Sequence, residues 1–293
     1  VDPLSGVRSL LFVPGDDERK VARAFDSGAD AVIVDLEDGV APDRKEHARR
    51  LAAAVPPPDG PLWLIRVNAP DTGWGRADLA ALADLPVDAL VVPKVDPSTM
   101  DLLGDGPPVL ALVETAAGLR GAFQVATRPR VVGLMLGGAD LGAELGWQPR
   151  ADGLELLHAR SALVLDAAAA GVRSPFDVVF LDPRDADGLR AEATFARSLG
   201  LGGKACIHPA QVAVVNDVFS PAPAEVEAAA EIVAEFDRAL ARGRGVTVVR
   251  GRMVDAPVVA RARVTLAAAD HSGPWRSMRS VRIVSTPETG GVS

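Results

Sequence analysis

Short, unbroken apolar runs recur along the chain: Ser9–Val13 (SLLFV), Asp30–Val34 (DAVIV), Leu62–Val67 (LWLIRV), Asp88–Pro93 (DALVVP), Val109–Val113 (VLALV), Val131–Leu136 (VVGLML), Asp177–Leu181 (DVVFL) and Lys204–Ile207 (KACI). Most carry β-branched residues without strict polar alternation, which predicts strands buried on both faces. Between them lie helix-like stretches over 16–25, 43–54, 76–82, 97–103, 116–126, 154–170 and 185–199. Acidic residues 16–18 open the first of these helices, Pro56, Pro57 and Pro58 stop the second, and Gly200 closes the last. Eight strands joined by mostly helical connections predict an α/β fold, a parallel (β/α)8 TIM barrel with a C-terminal helical extension. A doubly wound sheet is the runner-up, and it lacks a GxGxxG after the first strand.

The barrel is expected to occupy residues 1–220. Pro221 and Pro223 mark a linker into an extension over 221–270. That extension comprises an amphipathic helix over 224–242 with Glu225, Glu227, Glu231 and Glu235 on its outer face, a hairpin-like segment over 245–259, and a short helix over 260–269. Residues 271–293 are polar and rich in Ser, Arg and Gly, and are expected to form a mobile tail.

Charge and composition narrow the chemistry. The net charge is -8 and no basic block is present, so nucleic acid is not an expected partner. Cys206 is the only cysteine, which rules out an internal disulfide and fits a reducing cytoplasm. No apolar run is long enough to span a membrane, and no leader pattern is read at the start. The absence of tyrosine removes every Tyr-based acid or base.

A barrel gathers the residues that end its strands. Here these are Asp35, Glu37 and Asp38; Arg66 and Asn68; Lys94; Glu114; Asp140; Asp182; and Lys204 with His208. Asp35, Glu37 and Asp38 repel one another and require an offsetting cation, an arginine or full solvation. Glu114 and Asp140 follow neighbouring strands, and two such carboxylates with water and substrate oxygens suit octahedral Mg2+. The Gly137–Gly138 pair admits close approach of a small ligand to the backbone. Arg66 offers a fixed fork of donors to a carboxylate or an enolate oxygen. Plainer readings stand beside these: Arg66 neutralising the Asp35–Asp38 cluster, Glu114 complementing a helix N-terminus, and Asp182, Lys204 and His208 as structural groups. Lys94 as a Schiff-base lysine would make a metal-free aldolase, which the carboxylate pair argues against.

The segments LLFVPGDDERK (10–20), DAVIVDLEDGVAPDRK (30–45), IRVN (65–68), VVPKV (91–95), ALVETAAGL (111–119), GGADLGAELG (137–146), GKACIHPAQV (203–212) and GRMVDAPVVARA (251–262) give the chain a resemblance. It resembles the citrate lyase beta subunit and its CoA-ester lyase relatives in the HpcH/HpaI aldolase superfamily. The resemblance implies a (β/α)8 barrel, Mg2+ ligated by Glu114 and Asp140, and reversible C–C cleavage of a 2-hydroxyacid thioester. Malyl-CoA and citramalyl-CoA are the type substrates, giving acetyl-CoA and a 2-oxoacid. It implies that Arg66, with Glu37, Asp38, Gly137 and Gly138, contacts substrate. It also implies that Asp255 acts as acid/base at the mouth of a neighbouring subunit in a trimer, or in a hexamer of two trimers. Read from its local sequence, Asp255 is instead a turn or N-cap before Pro257. Arg19 and Lys20 are candidates for binding the CoA phosphates. Relatives usually carry Glu-Asp-Leu where this chain has Ala139-Asp140-Leu141, and the missing carboxylate bears on metal hydration or substrate choice. The alternatives within the resemblance are a citrate lyase beta subunit acting on a carrier-bound citryl group, a thioesterase, and a metal-dependent pyruvate aldolase. A non-catalytic scaffold would require loss of Arg66, Glu114, Asp140 or Asp255, and all four are present.

Overall fold

A computed structural model describes residues 2–54, 60–150 and 152–270. The prolines expected to stop the second helix and the tail over 271–293 lie outside the described residues. Eight strands pair in chain order and in parallel: β1 (Ser9–Pro14), β2 (Ala31–Asp35), β3 (Leu62–Arg66), β4 (Ala89–Val92), β5 (Val109–Val113), β6 (Val131–Leu136), β7 (Phe176–Asp177) and β8 (Gly203–Cys206). β8 returns to β1 with Ser9 opposite Lys204 and Leu11 opposite Cys206, so the sheet closes and the expected barrel is formed.

The side-chain period of two along each strand sorts the barrel into an inside and an outside. Leu10, Ile33, Leu64, Val91, Leu110 and Phe176 belong to the apolar filling. Their neighbours Leu11, Val32, Ile65, Val92 and Val109 face a larger core shared with the helices. One further inward step from Ile33 on β2, from Leu64 on β3 and from Leu112 on β5 lands on Asp35, Arg66 and Glu114. The apolar interior therefore ends in a charged layer at the C-terminal mouth.

The helices are α1 (Glu18–Phe25), α2 (Lys45–Ala54), α3 (Gly73–Leu82), α4 (Pro97–Met100), α5 (Ala116–Arg120), α6 (Ala122–Ala126), α7 (Gly138–Leu145), α8 (Leu157–Ala170), α9 (Ala186–Leu199) and α10 (Pro209–Phe219). Two were not foreseen. α7 opens on Gly137-Gly138, which has the local appearance of a loop, and α10 opens on His208-Pro209, which reads as a strand end. α10 is nonetheless well capped: His208 Nδ1 accepts from the Ala210 N–H at 3.1 Å, and Gln211 Oε1 accepts from the Ile207 N–H at 2.8 Å. The single helix expected over 116–126 is divided at Gly121, where a Cβ would lie 2.5 Å from Pro97 Cδ.

β7 is shorter than the apolar run suggested. It ends at Asp177, and beyond it Gln211 Nε2 donates to the Phe180 carbonyl at 2.7 Å, taking a group that a strand would have offered to the ladder.

The chain continues into α11 (Pro223–Ala241), an antiparallel hairpin of β9 (Thr247–Val249) and β10 (Arg252–Val254), and α12 (Ala256–Asp270). The two hairpin turn residues, Arg250 (φ 48°) and Gly251 (φ 75°), are both left-handed, as a tight two-residue hairpin turn requires. Phe236, Val249, Val254 and Val259 make a small core of their own between α11, the hairpin and α12. Among the described residues no helix is long and apolar enough to cross a membrane.

Candidate active site

The charged layer is organised around Arg66. Its Nε and Nη2 donate to the two oxygens of Asp35, each at 2.7 Å. Its Nη1 lies 3.1 Å from Glu37 Oε2 and 3.3 Å from Asp38 Oδ2. The guanidinium also sits 5.1 Å from the ring centroid of Phe12. Burial pulls the Arg66 pKa down, but the hydrogen bond to Asp35 and the charges of Asp35, Glu37 and Asp38 outweigh it, and the group is held well above its ordinary value.

Asp35 in turn shapes the loop after β2. It accepts from the Glu37 N–H at 2.9 Å and from the Gly39 N–H at 2.8 Å, and a Cβ at Gly39 would lie 2.6 Å from Asp35 Oδ2. From below, the buried Lys45 ammonium donates to the carbonyls of Leu36 and Glu37 and to Asn68 Oδ1. Asn68 is fixed by the fully buried Asp78. The acidic loop is therefore a braced structure that keeps Asp35 and Glu37 buried while Asp38 stands exposed at its edge.

Lys94 joins this cluster to the next. Its Nζ lies 2.9 Å from Glu37 Oε1, 3.7 Å from Glu114 Oε1 and 3.5 Å from Asp140 Oδ1. Burial lowers its pKa, yet the Glu37 hydrogen bond and the surrounding carboxylates raise the group above its usual range. A lysine so firmly protonated is a poor Schiff-base nucleophile. Glu114 is buried and accepts from the Lys94 backbone N–H at 3.0 Å. Burial first, and the nearby Glu37 charge second, push its carboxyl up to about 7. Burial likewise raises Glu37, whose Oε2 is buried without a hydrogen-bond partner.

Asp140 stands in the first turn of α7. Gly137, just before that helix, is a spatial necessity: a Cβ there would meet Glu114 Cβ at 2.4 Å and Glu114 Oε2 at 2.7 Å. Ala139 is exposed beside Asp140. These residues open onto a cavity of about 390 Å³. Its lining combines the polar Asp35, Asp38, Arg66, Glu114 and Asp140 with the apolar Leu112, Met135, Val179, Ala205 and Ile207. Gly137, Gly138 and Ala139 form part of its lining.

Not every strand-end residue reaches the mouth. On β8 the alternation turns Ala205 into the cavity and Lys204 outward, where it is fully buried with Asp177, Arg160 and Glu192. His208 caps α10, and Asp182 is exposed beside Arg184 at 3.5 Å. Arg19 and Lys20 are exposed in the first turn of α1, which follows β1 at the mouth end but does not line the cavity. Asp255 lies on the extension, outside the lining of the cavity in its own chain, and its Oδ1 accepts from the Val258 N–H at 3.3 Å. Lys94 is the participant that strand-end reasoning placed at the mouth without assigning it a part in the carboxylate cluster.

Whether these residues suit a divalent cation follows from their charges. Asp35, Glu37, Asp38, Glu114 and Asp140 face the cations Arg66 and Lys94, so the cluster is net negative. All the donors are hard oxygens, the class that binds Mg2+. Among the described residues no three Asp, Glu, His or Cys side chains are grouped to hold an ion. Glu114 and Asp140, whose oxygens both approach Lys94 Nζ, would offer Mg2+ two carboxylates and leave its other positions to water or substrate oxygens.

Comparison with known proteins places this architecture. A (3S)-malyl-CoA thioesterase of Cereibacter sphaeroides (strain KD131 / KCTC 12085) is 41% identical over 277 residues, covering 92% of this chain and 97% of the relative. The citrate lyase subunit beta of Escherichia coli (strain K12) is 34% identical over 288 residues, covering 91% of this chain and 94% of the relative. Among solved structures, the protein CitE from Mycobacterium tuberculosis in complex with magnesium, acetoacetate and coenzyme A superposes with a TM-score of 0.79 at 35% identity, covering 91% of this chain and 99% of that one. The family model of HpcH/HpaI aldolase/citrate lyase matches residues 8–101 and 105–209, and the chain belongs to that family.

Proposed function

We propose that this protein is a Mg2+-dependent lyase that cleaves, or in reverse forms, the C–C bond of a 2-hydroxyacyl-CoA thioester such as malyl-CoA or citramalyl-CoA. The observation that carries this reading is the convergence of Glu114, Asp140 and Arg66 in the lining of one largely apolar cavity. Glu114 and Asp140 hold the ion. When bound, Mg2+ supplies Lewis-acid polarisation of the hydroxyl and carboxylate oxygens at the 2-hydroxyacid end.

The protein's own residues do the rest. Cleavage leaves an enolate on the thioester fragment, and Arg66 is the donor for that oxyanion. Asp35 occupies Nε and one side of Nη2, and Nη1 stands against Glu37 and Asp38, so the guanidinium plane is fixed in the lining of the cavity. Asp255 exchanges the proton at the enolate carbon. Because it stands away from the cavity of its own chain, it performs this role from a neighbouring copy, in a homotrimer or a hexamer of two trimers. Arg19 and Lys20 hold the CoA phosphates at the mouth, and Gly137 and Gly138, with Asp38, border the acyl group. Glu37, buried and outside the cavity lining, acts through Arg66 and Lys94. The reaction is a cytoplasmic one, with an acyl-CoA and a 2-oxoacid as its small-molecule partners.

A second reading has a specific support: the 41% identical relative is named a malyl-CoA thioesterase. There the same bound thioester is attacked by water at its carbonyl, and free CoA leaves without C–C cleavage. A panel of malyl-CoA, methylmalyl-CoA, citramalyl-CoA and citryl-CoA, with Mg2+ present, separates the two. Release of a 2-oxoacid without free thiol supports the lyase. Free thiol without a 2-oxoacid establishes the thioesterase. Silence on all four, with free 4-hydroxy-2-oxoacids cleaved instead, moves the protein to the aldolases.

A further inference from the structure

Among the described residues Lys94 is the ammonium that stands within ion-pair distance of both Glu114 and Asp140, and its position is built. Its backbone is left-handed (φ 51°), a conformation that a residue with a side chain rarely adopts. That geometry is held by the Lys94 N–H on Glu114 Oε1 at 3.0 Å and by Thr99 Oγ1 on the Lys94 carbonyl at 3.4 Å. It places Nζ within 3.7 Å of both carboxylates assigned to the metal, with Glu37 nearer at 2.9 Å. An ammonium and a dication cannot both stay in contact with the same oxygens, because they repel each other over that distance.

We propose that Lys94 is an internal counter-ion that competes with the divalent metal for Glu114 and Asp140, and that metal binding shifts its ammonium onto Glu37 alone. This rests on the metal reading above and goes beyond it. The affinity for Mg2+ is then set by two residues that ligate and by a third that must give way. Glu37 is suited to receive the displaced charge: its Oε1 already accepts from Nζ, and it lies on the loop braced by Asp35 and Lys45. Lys94 is a positioning residue in this account, since nothing requires it to touch substrate.

Isothermal titration of the full-length protein with MgCl2 tests the proposal without turnover. Lys94→Met keeps the backbone N–H that Glu114 accepts and removes only the competing charge. The expected result is Mg2+ binding about tenfold or more tighter than wild type, because the carboxylates are no longer partly occupied. Affinity unchanged within about twofold, or weaker, overturns the proposal. The chain has four lysines, Lys20, Lys45, Lys94 and Lys204, so 13Cε-lysine NMR resolves the same question in the wild-type protein if the variant does not fold. One resonance, absent from Lys94→Met or assigned by elimination, should move saturably with Mg2+ and stay fixed in Glu114→Ala. A Lys94 resonance unmoved at saturating Mg2+ overturns the proposal. Wild-type protein that takes up no Mg2+ in either experiment would instead overturn the metal site itself.

Discussion

Arg66 and Asp35 form a two-pronged ion pair across the β2–β3 ladder, with Nε–Oδ1 and Nη2–Oδ2 both at 2.7 Å. The two residues are opposite one another in the register of these strands. The pair is almost wholly buried, so the guanidinium plane is fixed by the sheet itself, and Nη1 is held in turn against Glu37 and Asp38 beside the cavity.

Arg66→Lys is therefore not a conservative change. A lysine brings a point charge that cannot bridge both Asp35 oxygens and still present a second donor to the cavity. The expected outcome is a fall in kcat of about 10²–10³-fold, the usual cost of one oxyanion donor, with the fold retained by circular dichroism. Steady-state kinetics on the thioester that the panel identifies provides the check.

Gly137→Ala tests the space on which Glu114 depends. The added Cβ would stand 2.4 Å from Glu114 Cβ, so one of the two must move. Overpacking of this kind costs about 1–3 kcal/mol. Displacement of a ligand by its surroundings lowers metal affinity by about 10–100-fold. Urea denaturation and Mg2+ titration measure the two effects separately.

The buried network of Asp177 with Arg160, Lys204 and Glu192 holds β7 and β8 to α8 and α9. Burial alone would raise the Asp177 carboxyl, but Lys204 and Arg160 overcome it, and its pKa lies below the ordinary 3.8. The folded chain thus keeps Asp177 ionised at a pH where the unfolded chain takes up a proton. Its contribution is complete above about pH 4–5 and is lost as pH falls through the lowered value. Urea midpoints between pH 6 and pH 2 should show this acid-side loss. Asp177→Asn, which leaves two buried cations to Glu192, should cost about 3–5 kcal/mol at neutral pH and flatten that part of the profile.

The barrel was legible because its strands are buried on both faces and so appear as unbroken apolar runs. The positions of Asp35, Arg66 and Glu114 were legible for a related reason: each ends or follows a strand in phase with the inward-facing residues. Lys204 carries the same kind of signal but the opposite phase, and only the pairing of Ala205 with Leu10 shows that it turns outward. α7 and α10 were hidden because Gly137-Gly138 and His208-Pro209 have the local chemistry of turns, while their helical character comes from packing and capping further along. Lys94 was placed at the mouth by its strand end, but its contact with the carboxylates was not legible. Its side chain reaches the carboxylates through a left-handed backbone that no local pattern in VVPKV announces.

On the proposed reading, Glu114 and Asp140 together hold the Mg2+ on which C–C cleavage depends. The most direct measurement is 2-oxoacid release from malyl-CoA by EDTA-stripped protein as Mg2+ is restored, in wild type, Glu114→Ala and Asp140→Ala. The expected result is no release without the ion, saturable recovery in the wild type, and loss of that recovery in both variants at Mg2+ concentrations that saturate the wild type. Full activity after stripping, or a wild-type response to Mg2+ in either variant, would contradict it.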